Sequence, residues 1–280
     1  MEHLLQALLL GLVQGLTEFL PISSSAHLRL VGLFFSDPNS AVEFDPGATF
    51  TAITQLGTEL AVVIYFWGDI KRIVVRWFQG VTGRIPRTDP DVRMGWLVII
   101  GTLPIVIVGY LAQDYIRSVF RSLWIVAIVL IVFGILLGVA DRFGRKQERF
   151  EQMRFSHGIW VGIAQVLALF PGVSRSGATT TTALALGYTR PAAARFSFLL
   201  AVPAVFGSGL YELVQSFDNS GPYSLGETLA ATLVAFVVGF VVIAFFMNYI
   251  SRRSFIPFVA YRIVLGVVLI VLLATGVVAA

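Results

Sequence analysis

The chain has 280 residues, of which 57% are hydrophobic and only 13% charged, and its mean hydropathy is +0.84. Soluble domains carry about 25% charged residues, so too few polar groups remain here to coat a water-exposed surface. The absence of cysteine excludes a disulfide framework, a thiol nucleophile and a thiolate metal site, and the net charge of +4 points to membrane topology rather than to nucleic acid.

The N-terminus (Met1, Glu2, His3) has no basic stretch and no AxA-type cleavage site after it, so no removable signal peptide is expected. The first element is interrupted. Residues 11–26 read GLVQGLTEFLPISSSA, an apolar run broken at Pro21 and followed by a serine-rich turn and a second apolar arm. Each arm is shorter than the ~20 residues a helix needs to cross a bilayer. Gln14 and Glu18 are i, i+4 neighbours on one helix face. Ser23 suits the N-cap of the second arm, and Ser24 and His27 share a face of it. Ionisable groups inside an apolar run are costly and mark function; the plainer reading has Glu18 pair with Arg29 or Arg175 only to hold helices together.

Three apolar runs follow at 50–67, 96–112 and 123–140, each about the length of a span. Trp67, Trp96 and Trp124 sit at run ends, as an aromatic belt requires. Gln55 and Glu59 lie one turn apart on the first of these runs, where they either line a cavity or bond a neighbouring helix. The opening pattern then returns 151 positions on: residues 162–177 read GIAQVLALFPGVSRSG. His157 and Trp160 open this segment as interface anchors. Pro171 and Gly172 break it, Ser174 and Ser176 flank Arg175, and Gly177 removes side-chain bulk so that another group can approach the backbone. Thr179 falls one turn beyond Arg175, and Thr180, Thr181 and Thr182 read as helix-packing residues. A guanidinium among hydroxyls at a helix start suits a multi-oxygen anion. Runs at 196–213, 228–250 and 257–278 complete the chain. Arg29 and Arg262, within or beside apolar runs, either snorkel to an interface or guide a head group.

Fifteen of the twenty basic residues fall in 68–93, 141–156, 188–195 and 251–256, and these loops are therefore cytoplasmic. The opposite loops, 34–49, 113–122 and 214–227, hold only Arg117 and Arg121, with acidic Asp37, Glu43, Asp45, Asp218 and Glu227 beside them. That layout closes only if both broken segments re-enter by the face they came from. Three spans lie between them, an odd number, so the second half is inverted relative to the first. The expected architecture is an all-α polytopic membrane protein. Its single domain, 1–280, consists of two inverted repeats, about 1–145 and about 152–280, each a re-entrant helix-loop-helix plus three transmembrane helices. Re-entrant backbone is tolerated only where protein or a wet cavity satisfies it, so the two tips should meet near the midplane. A carboxylate facing a phosphate there implies a hard divalent cation, Mg2+ or Ca2+, and the set resembles a phosphoryl-transfer constellation acting on a lipid.

These two motifs together resemble the undecaprenyl-diphosphate phosphatase family, the bacitracin-resistance type. Its members carry (Glu/Gln)-x-x-x-Glu, then Pro and a serine-rich turn ending in His, and also PGxSRSxxT. Here these are Gln14 to Glu18, Pro21 to His27, and Pro171 to Thr179. The stretches FSFLLAVP at 196–203, Gln55-Leu56-Gly57 and SFIPFVAYR at 254–262 are similar to the family as well. Gln14 stands where many members have Glu, which weakens a two-carboxylate metal site, and Ala26 where Gly is common. The resemblance implies hydrolysis of undecaprenyl diphosphate to undecaprenyl phosphate and inorganic phosphate. That reaction recycles the lipid carrier for cell-wall synthesis and gives bacitracin resistance. It also implies a bacterial inner-membrane location, with the cavity facing the periplasmic side.

The expected roles follow. Glu18, Ser24, His27 and Arg175 are catalytic, with Ser24 the candidate nucleophile and His27 its base; attack by His27 or by water stays open. Ser23, Ser25, Ser174, Ser176, Gly177 and Thr179 bind the diphosphate, and Glu18 with Gln14 holds the cation. The alternative is a lipid-phosphate flippase or anion transporter built on the same repeats, distinguished by whether phosphate is released. The expected partners are the lipid substrate and the bilayer, with no nucleic acid. The oligomeric state is left open, a homodimer included.

Overall fold

Every long apolar run becomes a helix, because backbone facing lipid has to satisfy its own N–H and C=O groups. The computed structural model describes residues 2–35, 46–119, 122–215 and 222–278. Asp37, Glu43, Asp45, Arg121 and Asp218 lie outside the described residues, as does the side chain of Arg117. The helices are α1 (Glu2–Thr17), α2 (Ser24–Leu33), α3 (Ala48–Tyr65), α4 (Trp67–Val81), α5 (Pro90–Val119) and α6 (Leu123–Phe143). After them come α7 (Phe155–Val166), α8 (Arg175–Ala185), α9 (Arg190–Gln215), α10 (Leu225–Arg252) and α11 (Ile256–Ala274). Among the described residues the only strand-like feature is an isolated bridge between Glu148 and Tyr188.

Five helices (α5, α6, α9, α10 and α11) are long and apolar enough to cross a bilayer, and six elements are if the bent pair α3–α4 counts as one. Their outward faces carry large exposed hydrophobics such as Ile107, Ile128, Leu136, Leu233, Val241, Val264 and Val268. On a water-soluble protein such patches would be a liability; on helices of this length they are a lipid contact. The chain is a multi-pass membrane protein.

The predicted loop 68–93 is largely helix. α4 turns away from α3 by 78°. Trp67, Val74, Val75, Phe78 and Val81 form its exposed apolar stripe, while Asp69, Arg72 and Arg76 make ion pairs, the two arginine side chains staying 44% and 40% exposed. That pattern fits a helix lying in the interface plane. Ion pairs tie it down: Arg72 to Asp91 at 3.0 Å, Arg76 to Asp89 through Nε at 3.1 Å, and Arg195 of α9 to Asp69 through Nε at 2.8 Å. Arg190 bonds Asp141 at the end of α6, at 2.5 Å. The basic loops are thus one cross-linked layer.

Two close helix approaches position the broken segments. α1 packs on α10 and α7 packs on α5. A Cβ on Gly11 would lie 2.3 Å from the carbonyl oxygen of Ala231, and one on Gly162 would lie 2.4 Å from that of Gly101. Within lipid, close backbone packing of this kind is a principal source of helix association. These glycines occupy matching places in the two repeated motifs, so each broken segment is pinned to a long helix by the same device.

Candidate active site

Both broken segments end in the same local structure. α1 stops at Thr17, and α7 passes through a 3-10 turn at Leu167–Leu169. After each break comes a serine N-cap with a left-handed backbone: Ser23 at φ 74, ψ 95 and Ser174 at φ 70, ψ 114. Positive φ at a non-glycine residue is uncommon and costs about 1–3 kcal/mol. Each cap offsets part of that cost. Ser23 Oγ accepts from Ala26 N–H at 3.4 Å, and Ser174 Oγ accepts from Gly177 N–H at 3.1 Å. Each hydroxyl also pairs with the serine two residues on, Ser23 with Ser25 at 3.1 Å and Ser174 with Ser176 at 3.2 Å. The shared cap geometry gives both second arms, α2 and α8, the same kind of start.

The two tips meet. Arg175 Nη2 donates to Glu18 Oε1 at 2.7 Å across 157 positions of chain. The other oxygen, Glu18 Oε2, accepts from Gln14 Nε2 at 2.7 Å and from Ser24 Oγ at 2.8 Å. Ser176 Oγ reaches back to the Leu20 carbonyl at 3.3 Å. Glu59 on α3 joins the cluster, 3.4 Å from Arg175 Nη2 through Oε2. Two buried oxygens here, Gln14 Oε1 and Glu59 Oε1, have no hydrogen-bond partner.

One residue holding the tips together is Arg262 of α11. It is 0% exposed. Its guanidinium donates to four backbone carbonyls: Pro21 (3.0 Å), Gly172 (2.9 Å), Val173 (3.1 Å) and Leu130 of α6 (3.2 Å). Broken helices leave the carbonyls of Pro21, Gly172 and Val173 without intrahelical partners, and a fork of five donors suits them. The expectation that Arg262 snorkels or guides a head group is therefore corrected: it is sealed inside, bonded to backbone. Gly177 leaves the space, since a Cβ there would lie 3.0 Å from Arg262 Nη1.

A cavity of about 470 Å3 opens from the cluster. Glu18, Ser23, Ser24, Ser25, Ser174, Arg175 and Gln55 form its polar end; Ile105, Val106, Tyr110, Val205 and Tyr211 of α5 and α9 make its walls mostly apolar, with Ser208 and Glu212 of α9 also on them. On each wall the lining begins one residue after a proline, Pro104 or Pro203, which removes one intrahelical hydrogen bond.

Not every predicted residue lies at this cavity. His27 is held to one side, its Nδ1 against the Ser23 carbonyl at 2.7 Å and its Nε2 against Tyr261 Oη at 2.6 Å, with the two rings stacked. Both ring nitrogens are engaged, so Ser24 bonds Glu18 rather than the imidazole. Thr179 sits behind the site, donating to the Arg175 carbonyl at 2.7 Å and bonding Ser197 of α9. His157 bonds Tyr188 at 3.0 Å, far from this cluster in the chain's basic layer. Sequence reasoning assigned no role to Tyr261 or Ser197, although both fall in the family-like stretches 254–262 and 196–203.

Among the described residues no three His, Asp or Glu side chains converge, so a cation would be held by a mixed set of oxygens. The donors present (two carboxylates, an amide and a hydroxyl) are the hard ligands that Mg2+ or Ca2+ takes, and the two orphaned oxygens fit such a group.

Fold and site together define a multi-pass membrane protein with an acid- and guanidinium-lined cavity between two interrupted helices. The chain belongs to the family described as bacitracin resistance protein BacA, whose model matches residues 7–268. It is 66% identical over 276 residues, 99% of each chain, to an undecaprenyl-diphosphatase of Clavibacter michiganensis subsp. michiganensis. It is 61% identical over 279 residues, again 99% of each chain, to an undecaprenyl-diphosphatase of Micrococcus luteus. A protein of Agrobacterium fabrum called undecaprenyl-diphosphatase 2 is 53% identical over 276 residues, 99% of this chain and 98% of its own.

Proposed function

We infer that this chain hydrolyses undecaprenyl diphosphate to undecaprenyl phosphate and inorganic phosphate. In doing so it recycles the lipid carrier of bacterial cell-wall synthesis and confers bacitracin resistance. The observation that carries this reading is the Glu18–Arg175–Ser24 cluster at the polar end of a cavity whose walls are mostly apolar, Ser208 and Glu212 apart. Charge at the base suits a diphosphate, and the walls suit a polyprenyl tail.

Arg175 leaves Glu18 for the phosphate oxygens, which its planar fork grips in bidentate fashion. The N–H groups at the starts of α2 and α8 add to that grip. Ser24 Oγ attacks the terminal phosphorus, and its proton passes to Glu18, already within the hydrogen-bond reach a general base needs. The bond from that phosphorus to the bridging oxygen breaks, and undecaprenyl phosphate departs with that oxygen. Water then attacks the phosphoserine: its oxygen bonds to phosphorus, the bond to Ser24 Oγ breaks, Oγ takes back the proton held by Glu18, and inorganic phosphate leaves. His27 exchanges Tyr261 for a phosphate oxygen, gives a proton to the departing bridging oxygen in the first step and regains one from the attacking water in the second. A divalent cation, when bound, would neutralise the diphosphate and polarise a phosphoryl oxygen; Glu18 and Gln14 would hold it.

We read the two halves, about 1–145 and about 152–280, as inverted repeats, supported by the paired serine caps and the paired glycine contacts. The location is the inner membrane, with basic loops inside. α5 and α9 both start at the basic layer and line the cavity with their later halves, so the cavity opens to the periplasmic side.

The test is phosphate release from a polyprenyl diphosphate by purified protein, with and without chelator. Arg175→Ala should lower turnover about 10²- to 10³-fold or more, because it removes the main stabiliser of phosphoryl charge. Near-normal release from that variant would overturn the assignment. Head-group transfer across liposomes without release would favour a carrier instead.

A further inference from the structure

Glu59 is the one charged group at the cluster that this mechanism leaves idle. It lies within α3, 0% exposed, where an ion without a full set of partners is costly. Its Oε2 has Arg175 Nη2 at 3.4 Å, near the limit of a hydrogen bond, and its Oε1 has no partner. Glu18 takes the same nitrogen at 2.7 Å. One guanidinium therefore serves two carboxylates. On the far side of Glu18 stands Gln14, whose Oε1 is also buried and unpartnered. A diphosphate adds negative charge and draws Arg175 toward itself. The two carboxylates then lose their shared counterion, and a hard cation with oxygen ligands relieves that imbalance.

We propose that Glu59 is the second carboxylate of the site: with Glu18 it supplies the charged oxygens for a divalent cation, where Gln14 offers only an amide. The proposal rests on the phosphatase reading above. It predicts that the position of the second acid is interchangeable between residues 59 and 14, because either adjoins the Glu18–Arg175 pair.

The experiment compares the parent protein, Glu59→Gln and the charge-conserving Gln14→Glu/Glu59→Gln pair, each purified in detergent. Mn2+ binding is read from the electron paramagnetic resonance of the free ion, and phosphate release is titrated with Mg2+. Glu59→Gln should weaken Mn2+ binding about tenfold or more, the scale of losing a cation-supporting group. It should raise the Mg2+ needed for half-maximal turnover by a similar factor while KM for the lipid at saturating Mg2+ stays within about twofold. The charge-conserving pair should recover most of the Mn2+ affinity. Parent-like Mn2+ binding by Glu59→Gln overturns the proposal, as does no binding by the parent protein, or no recovery by a pair that melts like the parent. If Glu59→Gln does not fold, the charge-conserving pair and Glu59→Asp are judged by the same binding criterion. The phosphatase reading fails separately: a parent protein that binds Mn2+ yet releases no phosphate sinks that reading and leaves the cation site standing.

Discussion

Replacing Arg262 by methionine, similar in length and apolar, tests the idea that one guanidinium ties both interrupted helices to the same point. The substitution removes four hydrogen bonds, to Pro21, Gly172, Val173 and Leu130. Each bond to a charged group is worth about 1.5–3 kcal/mol net, and the four carbonyls would remain buried. Against this, methionine removes a buried ion whose desolvation costs several kcal/mol. The difference leaves a loss of about 3–5 kcal/mol, in line with breaking other buried charged networks. Arg262→Lys should recover only part of it, since an ammonium cannot present a planar fork to two separate turns and a helix at once. The assay is thermal melting in detergent, followed by tryptophan fluorescence, with phosphate release measured well below the midpoint. Turnover should fall even where the protein is folded, because Glu18 and Arg175 sit on the tips that Arg262 secures. A methionine variant with parent-like melting and parent-like turnover would refute the reasoning.

Three further predictions follow from the geometry. Ser174→Gly should melt at or slightly above the parent temperature, since glycine relieves the positive φ at a cost of only a few tenths of a kcal/mol in capping; Ser174→Ala, which keeps the strain and loses the cap, should cost about 1–2 kcal/mol. Gly162→Val should lower stability by about 2 kcal/mol or more, because its Cβ meets the Gly101 carbonyl at 2.4 Å and overpacking on this scale forces the backbone apart; an unchanged melting curve would contradict the close α5–α7 approach. Arg76 beside Asp89 holds the Asp89 carboxyl below the usual carboxylate range. The stabilisation is therefore present above about pH 4, the ordinary aspartate value, and is lost as pH falls through the lowered value. The gap in melting temperature between parent and Asp89→Asn should accordingly narrow on acidification below pH 4 rather than widen.

What could be read from the chain, and what could not, divides along one physical line. Glu18 and Arg175 were legible because an ionised side chain in an apolar run has few inexpensive uses, and each sat beside a proline break and a hydroxyl cluster. The six long runs were legible for the same energetic reason. Arg262 carried the same signal and was read as snorkelling to an interface or guiding a head group, because its partners are backbone carbonyls 89 to 241 positions away, freed by turns that do not name their acceptors in sequence. The link between His27 and Tyr261 was hidden likewise, as a tyrosine in a spanning helix has no spacing rule tying it to a distant imidazole. α4 was legible and overlooked: its charges at 69, 72 and 76 and its apolar residues at 67, 74, 75, 78 and 81 follow a helical period, but counting basic residues alone treated the segment as a loop.

The two left-handed serine caps have a last consequence. The residue just after one cap is Ser24, and the residue just after the other is Arg175, so the hydroxyl proposed to attack and the guanidinium proposed to grip the phosphate occupy the same address in two similar motifs. A protein made of two identical halves would bring together a pair of hydroxyls or a pair of guanidiniums, and neither pair could both hold a phosphoryl group and attack it. On the proposed mechanism reactivity comes from the mismatch between near-duplicates, and copying either half over the other at that single address should leave the scaffold intact and the chemistry gone.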